Sequence, residues 1–391
     1  MKSLTLLDSV RRRLIDACEP VGDASLAAAV RGNRDAPLAA SAVLSTARRV
    51  GDDLLGAGPL QALLDDPQVT DVLVNGPAEV WADRGDGLRR LPIRFSNAAA
   101  VRALATRLAA GCGRRLDDSH PTVDACLRDG TRLHAVLPPI AVTGPYLSLR
   151  THRARAFDLP ALRSAGTLDP ASARLVADIV AARVPFLISG GTGSGKTTLL
   201  ATLLGQADAG ERLVIVEDAT ELAVDHPHAL SLQSRRANVE GAGTVDLRQL
   251  VRQSLRMRPD RIIVGECRGG EVIDLLTAMN TGHDGCAGTL HANAPSDVPA
   301  RLAALALPHG VPPRGLHALI AAALRVIIHM GRDAGRRVVQ EICLLSVDAS
   351  RSAVAVVPAW HRDLGLRPAF PVLRGLLDDR LSAAATPREE S

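Results

Sequence analysis

Gly190-Gly191-Thr192-Gly193-Ser194-Gly195-Lys196-Thr197 follows an apolar run at 184–189 and leads into a helical stretch at 198–204. The spacing is G-x-x-x-x-G-K-[ST], set between a strand and a helix. Its glycines let backbone N–H groups close around phosphate oxygens with no Cβ in the way, and the helix N-terminus adds its partial positive charge. Lys196 is placed to reach the β- and γ-phosphates and Thr197 to reach a Mg²⁺ ion, with Thr198 next along the loop. The stretch therefore predicts an α/β domain with ATP and Mg²⁺ as its ligands. A glycine-rich turn that binds nothing is the bland alternative, and the strand and helix on either side disfavour it.

Four further segments bear on that site. A second apolar run, 262–264, ends in Gly265-Glu266, where a P-loop ATPase carries the acid that positions and polarises the attacking water. The residue before such a glutamate is usually an aspartate that helps hold the metal, and here it is glycine. Glu217, Asp218 and Glu221 follow the apolar run 212–216. Acids crowded at the end of a sheet strand repel one another unless a cation is near, so they are candidates for the missing metal-side carboxylate, against a solvated acidic turn. His283 and His291 flank the run 286–290; neither has the companions of a zinc site, and both are candidate neutral sensors of the phosphate end, against satisfied core histidines.

Outward from these motifs, strands alternate with helices over 166–348, the pattern of a mainly parallel sheet covered on both faces. Short strands at 71–75, 79–82, 88–93, 123–127, 131–137 and 146–150 surround one helix at 97–110, which predicts a small α+β domain over 51–152. Residues 1–50 read as a helical extension, 153–165 as a polar linker, and 349–391, with four prolines and no strong period, as a loosely packed tail.

Composition narrows the class. The chain has 391 residues, 47% of them hydrophobic, and only 2% aromatic, so the core is aliphatic and stacking platforms for single-stranded nucleic acid are not expected. A net charge of +4 does not by itself call for a polyanionic partner. Six scattered cysteines without a C-x-x-C pair fit a reducing cytoplasm. The apolar stretch 316–330 is broken by His317, Arg325 and His329 and is too short to span a bilayer. Of 46 basic residues, two are lysines (Lys2 and Lys196), leaving 46 − 2 = 44 arginines.

The order GGTGSGKTT, VEDATEL, RMRPDRIIVGECRGGE, MNTGHDG and TLHAN resembles the secretion ATPases of type II and type IV systems, with their Walker A, Asp box, Walker B and His box. GAGPL, TDVLVNGP, GRRLDDSHPTVDA, DGTRLHAVLPP and LSLR resemble the N-terminal domain of the tight-adherence (Flp) pilus branch. The resemblance covers roughly 51–348. It implies a PAS-like N-terminal domain, a RecA-like P-loop ATPase domain and a cytoplasmic homohexamer that works on inner-membrane platform proteins of a pilus or secretion system; direct nucleic-acid binding is not expected, on the low aromatic content. It gives Glu266 the water-activating role and assigns Glu217, Asp218 and Glu221 to the Asp box and His283 and His291 to the His box. It also implies arginines from the N-terminal domain acting on the phosphates, with Arg132 and Arg150 as candidates and Arg268 and Arg115 as weaker ones. A conjugation-type DNA motor and a nucleotide-binding scaffold without turnover remain as alternatives.

Overall fold

A computed structural model describes residues 9–10, 12–14, 22–31, 40–85, 87–127, 129–151, 157–235, 237, 242–347 and 354–385. The chain divides into two compact units, Met1–Arg153 and Ala154–Ser391.

In the first unit, helices α1 (Asp23–Arg31) and α2 (Ala40–Leu54) pack Leu26 and Val30 against Val43, Ala47 and Val50. Six strands follow: β1 (Asp71–Asn75), β2 (Val80–Asp83), β3 (Leu88–Leu91), β4 (Thr122–Cys126), β5 (Arg132–Val136) and β6 (Tyr146–Arg150), with helix α3 (Ala98–Gly111) between β3 and β4. They form one antiparallel sheet in the order β3-β2-β1-β6-β5-β4. Alternation along each strand sends Val72, Val74, Leu147 and Leu149 to the face covered by Val101, Ala105 and Leu108 of α3. Asn97 caps α3 by accepting the Ala100 N–H. On the other face Asp71, Arg150 and Arg132 stand in one cross-strand row. The turn residues Asp86 and Arg128 and the expected helical start at 1–8 lie outside the described residues.

The second unit carries helix α4 (Pro170–Ala181), β7 (Phe186–Gly190), α5 (Lys196–Leu204), β8 (Leu213–Glu217), β9 (Ala229–Gln233), α6 (Leu247–Ser254), β10 (Arg261–Cys267), α7 (Glu271–Asn280) and β11 (Ala287–His291). Helices α8 (Val298–Ala306) and α9 (Pro313–Ala323), strands β12 (Val326–Asp333), β13 (Arg336–Val347), β14 (Val354–His361) and β15 (Gly365–Leu366), and helix α10 (Phe370–Ala385) complete it. The nine-stranded sheet has the order β15-β14-β13-β12-β7-β11-β10-β8-β9. From β12 to β9 neighbours are parallel, and β13 to β15 are added antiparallel. Both faces are buried: Phe186 and Ile188 of β7 join a core with α4 and α5, while Leu187 between them joins the core of α6 to α9 on the other side. This is why the strands read as continuous apolar runs.

Two expectations change. Residues 354–385 are not a loose tail: Ala359, Trp360, Leu373 and Leu377 are buried in the α4–α5 core, and Arg374 Nη1 pairs with Asp178 Oδ2 at 2.6 Å. Two of the prolines that suggested looseness sit at permitted places, Pro358 beside the β14 register shift and Pro371 in the first turn of α10, and Pro387 lies outside the described residues. The linker also shortens, because Leu159–Ser164 is helical and Leu162 joins the same core; residues 152–156 lie outside the described ones. No helix among the described residues is long and apolar enough to cross a membrane.

Candidate active site

The parallel strands all end on one edge, and the residues at or next to their ends are the chemical ones: Gly190 on β7, Glu217 on β8, Glu266 one residue before the end of β10 and His291 on β11. Gly190 pairs in register with His291 on one side and Met330 on the other. The loop after β7 needs its glycines. Gly193 (φ 69°) and Gly195 (φ 96°) are left-handed, and a Cβ on Gly190 would lie 2.5 Å from the Met330 carbonyl oxygen.

Lys196 opens α5 and is buried. Its Nζ donates to the carbonyl oxygens of Gly190 at 2.9 Å and Gly191 at 2.8 Å. Burial lowers its pKa, and Glu266 opposes the shift. Two observations show that the loop fits a phosphate. Ser194 Oγ is buried with no hydrogen-bond partner among the described residues, and nothing stands within 4 Å of a Cβ placed on Gly191. Thr197 and Thr198, half-buried, continue the first turn of α5.

Glu266 is engaged at both oxygens. Oε1 lies 2.7 Å from His291 Nε2, and Oε2 accepts from Arg268 Nη2 at 2.5 Å. Burial, then the Lys196 charge, lower the His291 pKa, while Glu266 pulls the other way. The β10–β11 register shifts between Val264 and Cys267, and Thr289 Oγ1 donates to the Gly265 carbonyl at 2.7 Å inside that irregularity. Buried Glu271 fixes the next turn by accepting the Arg268 and Gly269 N–H groups at 2.5 and 2.7 Å.

The glycine before Glu266 has a steric cause. Val264 pairs with Val216, so position 265 abuts the end of β8, and a Cβ there would sit 2.6 Å from Glu217 Cγ. Glu217 thus fills the space that an aspartate at 265 would take. Its Oε1 is held by the N–H groups of Glu221 at 3.0 Å and Leu222 at 3.1 Å. Gly265→Ala is expected to cost about 1–3 kcal/mol by expelling that carboxylate, and Glu217→Ala in the same chain should recover part of the loss. Urea midpoints of the two single variants and the double variant measure this; strictly additive losses contradict it.

Asp218 is exposed, with Oδ1 accepting from Ser234 Oγ at 3.0 Å. The negative charges of Asp218 and Glu221 both help raise the Arg268 pKa, after the larger effect of its bond to Glu266. His283 is not brought to this cluster. It precedes β11, at the opposite end of a strand that climbs about 3.3 Å per residue toward His291. Cys286 at that far end accepts the Ile262 N–H at 3.2 Å, and burial pushes its thiol up to about 12. Among the described residues, no group of three or more His, Cys, Asp and Glu side chains gathers as a metal site.

Over residues 53–357 the sequence matches the family described as Type II/IV secretion system protein. The chain belongs to that family. A Mycobacterium tuberculosis protein named for conjugal transfer is 54% identical over 348 residues, covering 87% of this chain and 98% of its own. The conjugal transfer protein TrbB of Rhizobium radiobacter is 31% identical over 300 residues, 75% of this chain and 88% of its own. Among solved structures, the pilus retraction motor PilT with bound ADP aligns at a TM-score of 0.53 and 20% identity, over 83% of this chain and 86% of its own; that likeness is one of fold.

In this secretion-system protein, Arg132 and Arg150 belong to the first unit. They are register partners on β5 and β6, and Arg150 Nε donates to Asp71 at 2.9 Å. Sequence reasoning missed Glu271, whose bonds are to the backbone two and three residues before it, and Thr289, whose signal lies in a contact between neighbouring strands. It also missed the place of His329, read only as a break in an apolar run. Ser189 Oγ and His329 Nδ1 lie 2.9 Å apart, buried beneath the phosphate loop. Burial first, then Lys196, lower the His329 pKa, while Asp297 and a backbone group of Asn293 oppose the shift. The folded protein therefore binds fewer protons here than the unfolded chain. Stability is full above the unfolded value of about 6.5 and falls as pH drops from there toward the folded pKa. Urea midpoints compared at about pH 7.5 and pH 5.5 should shift less in His329→Gln than in wild type; equal shifts contradict the assignment.

Proposed function

We propose that the chain is a Mg²⁺-dependent ATPase that works as a homohexameric ring, with a RecA-like P-loop domain preceded in sequence by a PAS-like N-terminal domain. The ring powers pilus assembly or secretion from the cytoplasmic face of the inner membrane through platform proteins. The observation that carries this reading is the meeting of Lys196, Glu266 and His291 at one sheet edge, in a member of the secretion-system family.

Lys196 turns from the loop carbonyls to the β- and γ-phosphates, and the N–H groups of residues 191–195 hold the remaining oxygens. Thr197 and Glu217, with Asp218 and Glu266 alongside, would hold Mg²⁺, which would supply charge neutralisation on the phosphate oxygens when bound. Glu266 orients the water that attacks in line and takes its proton, and His291 reports the state of that carboxylate. Glu221 supports the acidic turn through its N–H bond to Glu217. Arg132 and Arg150 act on the terminal phosphate from the N-terminal domain. The mass of the chain in solution and its phosphate release with ATP and Mg²⁺ test the reading: a six-chain particle that releases phosphate supports it, and a monomer without turnover removes it.

A second reading, a motor for conjugal DNA transfer, draws on the names of the two relatives. Those names favour it over the tight-adherence pilus branch, while the 2% aromatic content disfavours direct DNA contact. Turnover stimulated by added single- or double-stranded DNA separates the two.

A further inference from the structure

Strand β7 has two neighbours, and they bring different chemistry to the phosphate loop. The β11 side carries His291 and, one strand further, Glu266, the end where the terminal phosphate reacts under the proposed function. The β12 side carries a hairpin, Arg332-Asp333-Ala334-Gly335-Arg336-Arg337, with three arginines against one aspartate.

Register decides which of its side chains face the loop. Arg332 pairs with Arg337, and Asp333 with Arg336, so the first pair shares one face and the second the other. Arg332 Nη2 donates to the Gly193 carbonyl at 3.3 Å. Arg337 Cδ lies 3.3 Å from the point a Cβ on Gly195 would take, so its stem lies against the turn that opens α5. Arg336 points elsewhere, its Nη1 being 3.7 Å from the Cβ point of Gly166. Both loop-facing arginines are exposed. The Arg332 bond is long and runs to a neutral oxygen, the kind of contact a guanidinium gives up for a phosphate.

We propose that Arg332 and Arg337 grip the α-phosphate of the bound nucleotide, from the same subunit and from the flank opposite Glu266. This rests on the nucleotide reading above. β12 and β13 flank the start of α5, where Met330 and Arg337 lie against Gly195, and on that side would lie the rest of a nucleotide whose terminal phosphate faces Glu266. Two arginine forks there meet the part of the ligand that ATP and ADP share. The contact therefore binds substrate and product alike, and its loss is carried by KM rather than kcat.

The test is titration of Mg-ADP, with steady-state kinetics on ATP, for wild type, Arg332→Gln, Arg337→Gln and the two lysine variants. The glutamines keep the stem that packs on the loop and remove the charge. Each glutamine variant is expected to weaken ADP binding and raise KM for ATP by the same factor, about tenfold, with lysine recovering part of it. Recovery by lysine excludes a loop that is merely damaged. ADP affinities within twofold of wild type in both glutamine variants overturn the inference. A fall in kcat with ADP affinity unmoved also overturns it, because it places the guanidinium on the terminal phosphate. Wild-type protein that binds no ADP removes the nucleotide reading itself, a failure visible without any variant.

Discussion

Lys196→Ala protein is expected to bind ATP about a hundredfold more weakly than wild type and to release no measurable phosphate. The ammonium is the one cation inside the loop's own turn, donating to the Gly190 and Gly191 carbonyls, and a phosphate offers it charge in place of those neutral acceptors. Alanine leaves the β- and γ-phosphates without the ammonium, held inside the loop by the loop's amides. Lys196→Arg should fare little better. This chain uses arginine at all but two of its basic positions, yet keeps a compact charge on a slim stem where the side chain threads glycines. Titration with a fluorescent ATP analogue measures the loss, and a thermal melt shows whether the fold survives. Wild-type affinity in the alanine variant contradicts the assignment of the loop.

Glu266→Gln should behave in the opposite way, holding ATP with near wild-type affinity while steady phosphate release falls by at least about a hundredfold. The amide keeps the size of the side chain, and its oxygen can still accept from Arg268 or His291, so the edge of the sheet is not disturbed. What it cannot do is take a proton from water. The register shift after Val264 and the Thr289 bond to Gly265 aim this one carboxylate out of the sheet, and Glu217 is held by backbone donors on the neighbouring strand. Glu266 itself contacts both His291 and Arg268. Steady turnover by the variant removes Glu266 from its role. A loss of ATP binding instead makes it a ligand-holding group.

The loop, the second acid and the apolar strands were legible because each is written in consecutive residues. A buried parallel strand reads as an unbroken run such as Phe186-Leu187-Ile188, and a phosphate loop as fixed spacing. What stayed hidden depends on register between distant segments. Glu217 was already a candidate for the carboxylate that Gly265 lacks, but the steric reason for the glycine lies in the β8–β10 pairing, which puts Glu217 in that space. His283 looked equivalent to His291, since both flank one strand, but a strand separates its two ends and only His291 reaches the phosphate edge. Strand β12 was missed because α9 runs into Val326-Ile327-Ile328 with no glycine or proline between them, where apolar periodicity does not tell helix from buried strand. The last residues looked loose because prolines suggested it, while the burial of Trp360 and Leu373 rests on partners in α4 and α5.

The most direct test of the central claim, that this sheet edge cleaves ATP through Glu266, is a quenched single turnover. Protein in excess over γ-labelled ATP is mixed with Mg²⁺, and free phosphate is counted against time for wild type and Glu266→Gln side by side. The account predicts rapid conversion by wild type and ATP retained intact, still bound, in the variant. Equal rates of phosphate formation in the two proteins would contradict it.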